Sequence, residues 1–220
     1  LVVLFLIKEP RQISTEKSEK MNIAGNFRQI FVNPNKSSLY LLASILLWFV
    51  AFSALETGLS SIAVFSLGIK AGTASLLTGS MTISFILLAF PSGLIGTRLG
   101  RKKTIQIGLA GLTGMLLMGF FIVQNAFMLV IVLTLCGFFW ALINVNSLPL
   151  VLDYGSENKA GTYTGFYYFS SQLAAVIGPT VGGIVVGAMN NEYRWLWLFS
   201  TLFMGLALWV MRGVQQRQLS

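Results

Sequence analysis

From residue 39 to residue 212 the chain is a succession of long apolar stretches, at about 39–68, 73–97, 104–123, 126–152, 161–189 and 194–212, and the charges collect in the short breaks between them. Each stretch is long enough to cross a hydrocarbon core of roughly 30 Å as a helix rising about 1.5 Å per residue. In lipid the backbone must satisfy its own hydrogen bonds, and long apolar stretches of this kind do so as helices. The sequence therefore predicts an all-α integral membrane protein with six transmembrane helices. Composition agrees. With 55% hydrophobic and 10% charged residues, a chain of 220 has too little polar surface to coat a soluble globule.

The cations set the orientation. If six helices alternate, thirteen of the fifteen Lys and Arg fall on one side: six in 8–36, four in 98–103, and Lys159, Arg212 and Arg217, against Lys70 and Arg194 on the other. The positive-inside rule places the first group, and with it the C-terminus, in the cytoplasm of a multi-pass cell-membrane protein. The net charge of +8 is a topology signal and an attraction for anionic membrane lipid. Because the charges are spread over loops with no stacking aromatics beside them, no nucleic-acid partner is expected. Four segments follow: 1–7, apolar and read as the end of a truncated transmembrane helix; 8–38, a polar cytoplasmic loop; 39–213, the six-helix domain; and 214–220, a cytoplasmic tail. Within the loop, Met21 to Val32 has apolar residues at roughly helical spacing, suited to a short surface helix or to a solvated connector.

Between the second and third stretches runs Gly93-Leu-Ile-Gly-Thr-Arg-Leu-Gly-Arg-Lys-Lys103. Its cations cannot enter hydrocarbon, so two helices must be joined here by a very tight turn, with Gly93 and Gly96 allowing close approach and Gly100 a backbone conformation other residues avoid. This segment resembles the cytoplasmic loop motif of major facilitator superfamily transporters, Gly-x-x-x-Asp-Arg-x-Gly-Arg-Lys, at Gly93, Arg98, Gly100, Arg101 and Lys102. Thr97 stands where the family has Asp, a departure commoner in the second, C-terminal copy of the motif. The resemblance implies that the chain is the C-terminal six-helix half of a twelve-helix fold, that loop 8–38 is the connector between halves, and that a missing N-terminal half is its partner. In this family substrate sites lie between halves.

One acid lies within a stretch. Glu56 is about 17 residues from the start of the first span, or ~26 Å along a helix. An ionised carboxylate at such depth costs on the order of 2.5–3.5 kcal/mol even on gentle insertion scales, so it needs a cation, water or a proton. No Lys or Arg lies inside a span. A carboxyl poised between charged and neutral forms is what proton-coupled transport requires; a Glu hydrogen-bonded to a neighbouring helix is the structural alternative. Trp48, Phe49, Phe52, Ser53, Glu56 and Ser60 repeat at intervals of three and four, as the wall of a sugar-binding cavity or as ordinary interhelix packing.

In the fourth span Asn144, Asn146 and Ser147 precede Pro149, which frees a carbonyl and permits a kink. This pattern fits a hinge and equally a static kink with interhelical hydrogen bonds. In the fifth span Tyr168 and Gln172 share a face, and Gly178, Gly182, Gly183 and Gly187 form two overlapping small-xxx-small pairs. The string Gly161-Thr-Tyr-Thr-Gly-Phe-Tyr-Tyr-Phe169, with Ile177-Gly178-Pro179 and with Trp48-Phe49 and Glu56-Thr57 of the first span, looks like the sucrose-type proton symporters and related glycoside–cation symporters. The aromatic and polar residues at helical spacing mark Trp48, Phe49, Phe52, Ser53, Asn144, Tyr168 and Gln172 as candidate substrate contacts, and the kink, the glycines and the loop position mark Pro149, Asp153, Gly178 and Pro179 as candidate gating residues. Asp153, with Glu157 nearby, can meet the Arg98–Lys103 cluster in a cytoplasmic ion pair or remain solvated.

Several chemistries are excluded. The chain has no His, a single Asp and a single Cys, which removes His-based zinc and haem sites, an aspartyl dyad and disulfides. No Walker-type loop is present, so energy must come from a gradient and no cofactor is implied. The expectation is a secondary transporter and not an enzyme: a symporter of sugar with protons working by alternating access. An exporter or facilitator of another small solute, or a non-transporting membrane sensor, remains open.

Overall fold

The computed structural model describes residues 36–154 and 160–215, so segment 1–7, nearly all of loop 8–38, Glu157 and the last five residues lie outside it. Six helices long and apolar enough to cross a membrane lie among the described residues. They are α1 (Ser37–Ser61, extended by a π-helical turn Ile62–Ser66), α2 (Ala71–Leu99), α3 (Arg101–Ile122), α4 (Ala126–Tyr154), α5 (Ala160–Ala188) and α6 (Trp195–Arg212). Each break has a local cause. Gly100 sits at φ 87° between α2 and α3, a left-handed backbone that a side chain disfavours. Gly68 at φ 67° ends the π turn, where Ile69 N–H donates to Ala63 O at 3.0 Å. Asn190 and Asn191, at φ 55° and 61°, turn the chain between α5 and α6, a conformation that Asn tolerates better than most residues. The prolines do not break their helices: Pro91, Pro149 and Pro179 lie inside α2, α4 and α5, where neighbours in a bundle satisfy the freed backbone groups.

Helices adjacent in sequence are mostly not the ones that pack. α2 lies along α4, and α1 along α5; α3 packs on α4 and α6, and α6 on α1. Exchanging α1 with α4, α2 with α5 and α3 with α6 maps this pairing onto itself, and the exchanged helices run in opposite directions, the pattern of an inverted three-helix repeat. No repeat is evident in the sequence, because only the packing obeys the symmetry. The core runs through Ile45, Trp48, Leu109, Leu112, Leu116, Leu133, Trp197 and Met204, all essentially inaccessible.

Polar groups tie the seams. Ser44 Oγ donates to Ala207 O at 2.8 Å and Ser200 Oγ to Ala51 O at 2.8 Å, joining α1 to α6. Ser84 Oγ donates to Thr134 O at 2.7 Å and Asn146 Nδ2 to Ser92 O at 3.1 Å, joining α2 to α4. In an apolar surrounding each such bond is worth about 0.6–2 kcal/mol. Small residues let the backbones close: a Cβ on Gly137 would meet Ser84 Cβ at 2.9 Å, and one on Gly119 the Trp197 ring at 2.5 Å.

The helices leave large apolar faces uncovered. On α2, Leu76, Ile83, Leu87 and Phe90 are 61–80% exposed, and on α5 Val176 and Ile184 are about two-thirds exposed. Such surface is incompatible with water and suits lipid or further protein.

Candidate functional site

The open face of α1 carries Phe49, Phe52 and Ser53, each half-buried, and the exposed Glu56 one turn beyond Phe52. Trp48 is elsewhere: its side chain is fully enclosed in the core. Eight residues at about 100° each place it ~80° around the helix from Glu56, far enough to turn it into the bundle. Interval counting alone grouped it with the others.

Aromatic rings connect this face to α4 and α5. Phe52 stacks on Trp140 with centroids 3.7 Å apart and planes 6° from parallel. Phe49 meets Trp140 edge-on at 5.5 Å and Tyr167 edge-on at 6.1 Å, and Tyr167 in turn meets Tyr168 at 5.3 Å. Tyr167 OH and Ser147 Oγ are 3.0 Å apart. Since Ser147 Oγ donates to Asn144 O at 2.7 Å, its one proton is used and the Tyr167 hydroxyl is the donor between them. Asn144 is half-buried beside this pair, while Tyr168 and Gln172 are exposed on α5. Asn146, two residues on, points the other way, to Ser92 of α2.

Trp140, Tyr167 and the Ser147–Tyr167 bond were not singled out from sequence. Trp140 is four residues before Asn144 and seven before Ser147, a helical spacing that carries the signal. Nothing in the sequence says that α4 and α5, which touch little, meet here. The chemistry on offer is flat aromatic surface, hydroxyls, two carboxamides and a carboxyl. No group of His, Cys, Asp and Glu that could hold a metal occurs among the described residues.

A second constellation lies at the end of the bundle where α3 begins and α2 and α6 have their basic last turns, at Arg98 and Arg212. Arg101 Nη1 is 2.5 Å from Asp153 Oδ1 and donates to Pro149 O at 3.2 Å. Each charge sits at the unfavourable end of its own helix, a cation at the N-terminus of α3 and an anion at the C-terminus of α4. Side by side, each complements the other helix's dipole. Arg98 and Lys103 are exposed, and Lys102 Nζ donates to Val214 O. Gly93 is half-buried, a Cβ there lying 3.7 Å from Val145 of α4. Thr97 Oγ1, in place of the family's acid, donates to Leu94 O of its own helix at 2.8 Å. Among the proposed gating residues Gly178 packs on the α1 backbone, and Pro179 is half-buried beside it. Asp153→Asn is expected to lower the melting temperature by a few degrees at low ionic strength, about 1 kcal/mol for a partly exposed pair, with the difference shrinking in high salt. Thermal unfolding in detergent at two salt concentrations measures this.

Six membrane-capable helices in an inverted three-helix arrangement, with an aromatic and carboxyl-bearing open face, define a transporter-type membrane fold. Residues 57–218 match the Major Facilitator Superfamily, and the chain belongs to that family, whose members are transporters and not enzymes. It is 27% identical over 206 residues to multidrug resistance protein 2 of Bacillus subtilis (strain 168), covering 92% of this chain and 49% of that protein. Its fold matches the E. coli fucose:proton symporter FucP with a TM-score of 0.77 at 17% identity, over 98% of this chain and 52% of the symporter. A structure of FucP in the outward conformation matches equally, with a TM-score of 0.77 at 17% identity. The chain spans about half the length of these relatives.

Proposed function

We propose that this chain is the C-terminal, six-helix half of a twelve-helix secondary transporter that carries a small solute, a sugar of the disaccharide or glycoside class, together with a proton by alternating access. The partner is the N-terminal half, joined through loop 8–38, and both the loop and the C-terminus face the cytoplasm of a cell membrane. The observation that carries this reading is Glu56. It lies on the open face of α1, one turn beyond a stacked Phe52–Trp140 pair, and the ion pair found among the described residues is Arg101–Asp153, far from it in the fold. A carboxyl so placed, with no ion pair among the described residues, suits a group that takes up and releases a proton with each cycle. Phe49 and Phe52 supply flat faces for the C–H side of a sugar ring, and Ser53, Asn144, Tyr168 and Gln172 supply hydrogen bonds to its hydroxyls. Trp140 and Tyr167 hold the rings in place. Pro149, Asp153, Gly178 and Pro179 act in gating.

A second reading is export of drug-like solutes, favoured by the 27% identity to multidrug resistance protein 2 across 92% of this chain. The open aromatic face would serve that purpose as well. The test uses the whole natural protein in proteoliposomes loaded with a pH-sensitive dye, with sucrose, maltose and monosaccharides added outside. A sugar is expected to acidify the lumen, and Glu56→Gln to abolish the acidification while exchange of labelled sugar persists. If no sugar moves protons but a lipophilic dye is pumped, the exporter reading replaces this one; if Glu56→Gln couples normally, the carboxyl is structural.

A further inference from the structure

The chain past α6 is held more firmly than the end of a helix requires. Val214 is 1% exposed and belongs to the core. Its carbonyl accepts from Lys102 Nζ at the start of α3, and the next carbonyl, of Gln215, accepts from Tyr154 OH at the end of α4. The Gln215 N–H donates to Ser37 Oγ at the start of α1 at 3.1 Å. Gly213 fits beneath the Tyr40 ring of α1, where a Cβ would come within 3.3 Å. The partners of the segment past α6 come from three different helices at the same end of the bundle, Lys102 of α3 and Tyr154 of α4 as donors and Ser37 Oγ of α1 as acceptor.

Electrostatics explains the seat. Lys102 lies in the first turn of α3, where its own helix dipole repels it, and it reaches instead to the carbonyl-rich C-terminus of antiparallel α6. Tyr154 sits directly after Asp153, whose carboxylate is occupied by Arg101, which leaves the tyrosine hydroxyl to bind the tail. The two neighbouring cations of the loop motif thus do different work: Arg101 joins α3 to α4, and Lys102 joins α3 to the tail.

We propose that Gly213–Gln215 is a conformational latch. Seated, it holds the adjoining ends of α1, α3, α4 and α6 as one block; unseated, it frees Lys102, Tyr154 and Ser37 from the tail together and loosens that end of the bundle while the opposite end keeps its packing. This does not rest on the solute or on proton coupling.

Hydrogen exchange of the full-length protein in nanodiscs tests the proposal, comparing wild type with Val214→Asp, which drives the segment from the core, and with Tyr154→Phe combined with Lys102→Met, which removes two donors and leaves the tail sequence intact. In both variants amides in 41–45, 105–109 and 150–154 are expected to exchange about tenfold faster, while those in 116–122 and 184–188 keep wild-type rates. Three outcomes overturn the latch: unchanged exchange in all segments; acceleration confined to 208–212, which is fraying of α6 alone; or equal acceleration at both ends, which is global destabilisation.

Discussion

Gly178→Ala is expected to destabilise the bundle by about 1–3 kcal/mol, whereas Gly183→Ala, five residues along the same helix, changes stability by less than ~0.5 kcal/mol. A Cβ at Gly178 would lie 2.5 Å from the Val50 carbonyl oxygen and 3.1 Å from the Ala54 nitrogen, both backbone atoms of α1. A backbone cannot rotate aside as a side chain does, so α1 and α5 must separate along their shared seam. That separation would also disturb Ala54 against Gly182, where a Cβ would come within 3.2 Å of Ala54 Cβ. At Gly183 an added Cβ has nothing within 4 Å. Thermal or SDS-driven unfolding of the two variants of this chain in micelles provides the measurement. Equal effects at both positions would mean that α5 does not meet α1 through Gly178.

Asn146→Asp, a change of one heavy atom's identity, is expected to cost more than Asn146→Ala. The side chain is 3% exposed, and its Nδ2 donates both to Ser92 O across the α2–α4 seam and to Leu142 O of its own helix. Alanine removes the interhelical bond and opens a small cavity against Gly96, about 1–2 kcal/mol. Aspartate removes both donors, sets a carboxylate against two carbonyl oxygens, and has no cation to pair with. It must either stay ionised in an apolar seam, at about 2.5–3.5 kcal/mol, or take up a proton. Folded yield and unfolding midpoint at neutral and acidic pH distinguish the two variants: the aspartate variant recovers part of its loss as pH falls and the alanine variant does not. A pH-independent aspartate variant would mean that water reaches the seam.

Both predictions concern residues that were visible in the sequence but whose partners were not. Gly178, Gly182, Gly183 and Gly187 of α5 form two similar pairs on paper; in the structure Gly178 and Gly182 meet α1 while Gly183 and Gly187 have nothing within 4 Å of an added Cβ. Asn144, Asn146 and Ser147 looked alike as membrane amides and hydroxyls, yet Asn146 serves the α2 seam and Ser147 bonds Tyr167 of α5. Helical spacing assigns residues to a face, and it cannot say what the face meets. Trp48 shows the limit from the other side, since a run of threes and fours drifts around a helix of 3.6 residues per turn until its first member is buried.

What the sequence by itself determined was the class and the number of helices: length and apolarity dictate membrane-crossing helices because lipid offers the backbone no other partner. It also marked the tight turn at Gly100 and the isolated acid Glu56, since charge and backbone freedom are local properties. What only the tertiary structure decided was which helices pair, hence the inverted repeat, the ring cluster of Phe49, Phe52, Trp140 and Tyr167, the division of labour between Arg101 and Lys102, and the tail's seat among three helix ends. Helices that are apolar nearly all round carry little pattern to specify a neighbour; close packing at small residues and a few hydrogen bonds select it, and both exist only once two helices are side by side.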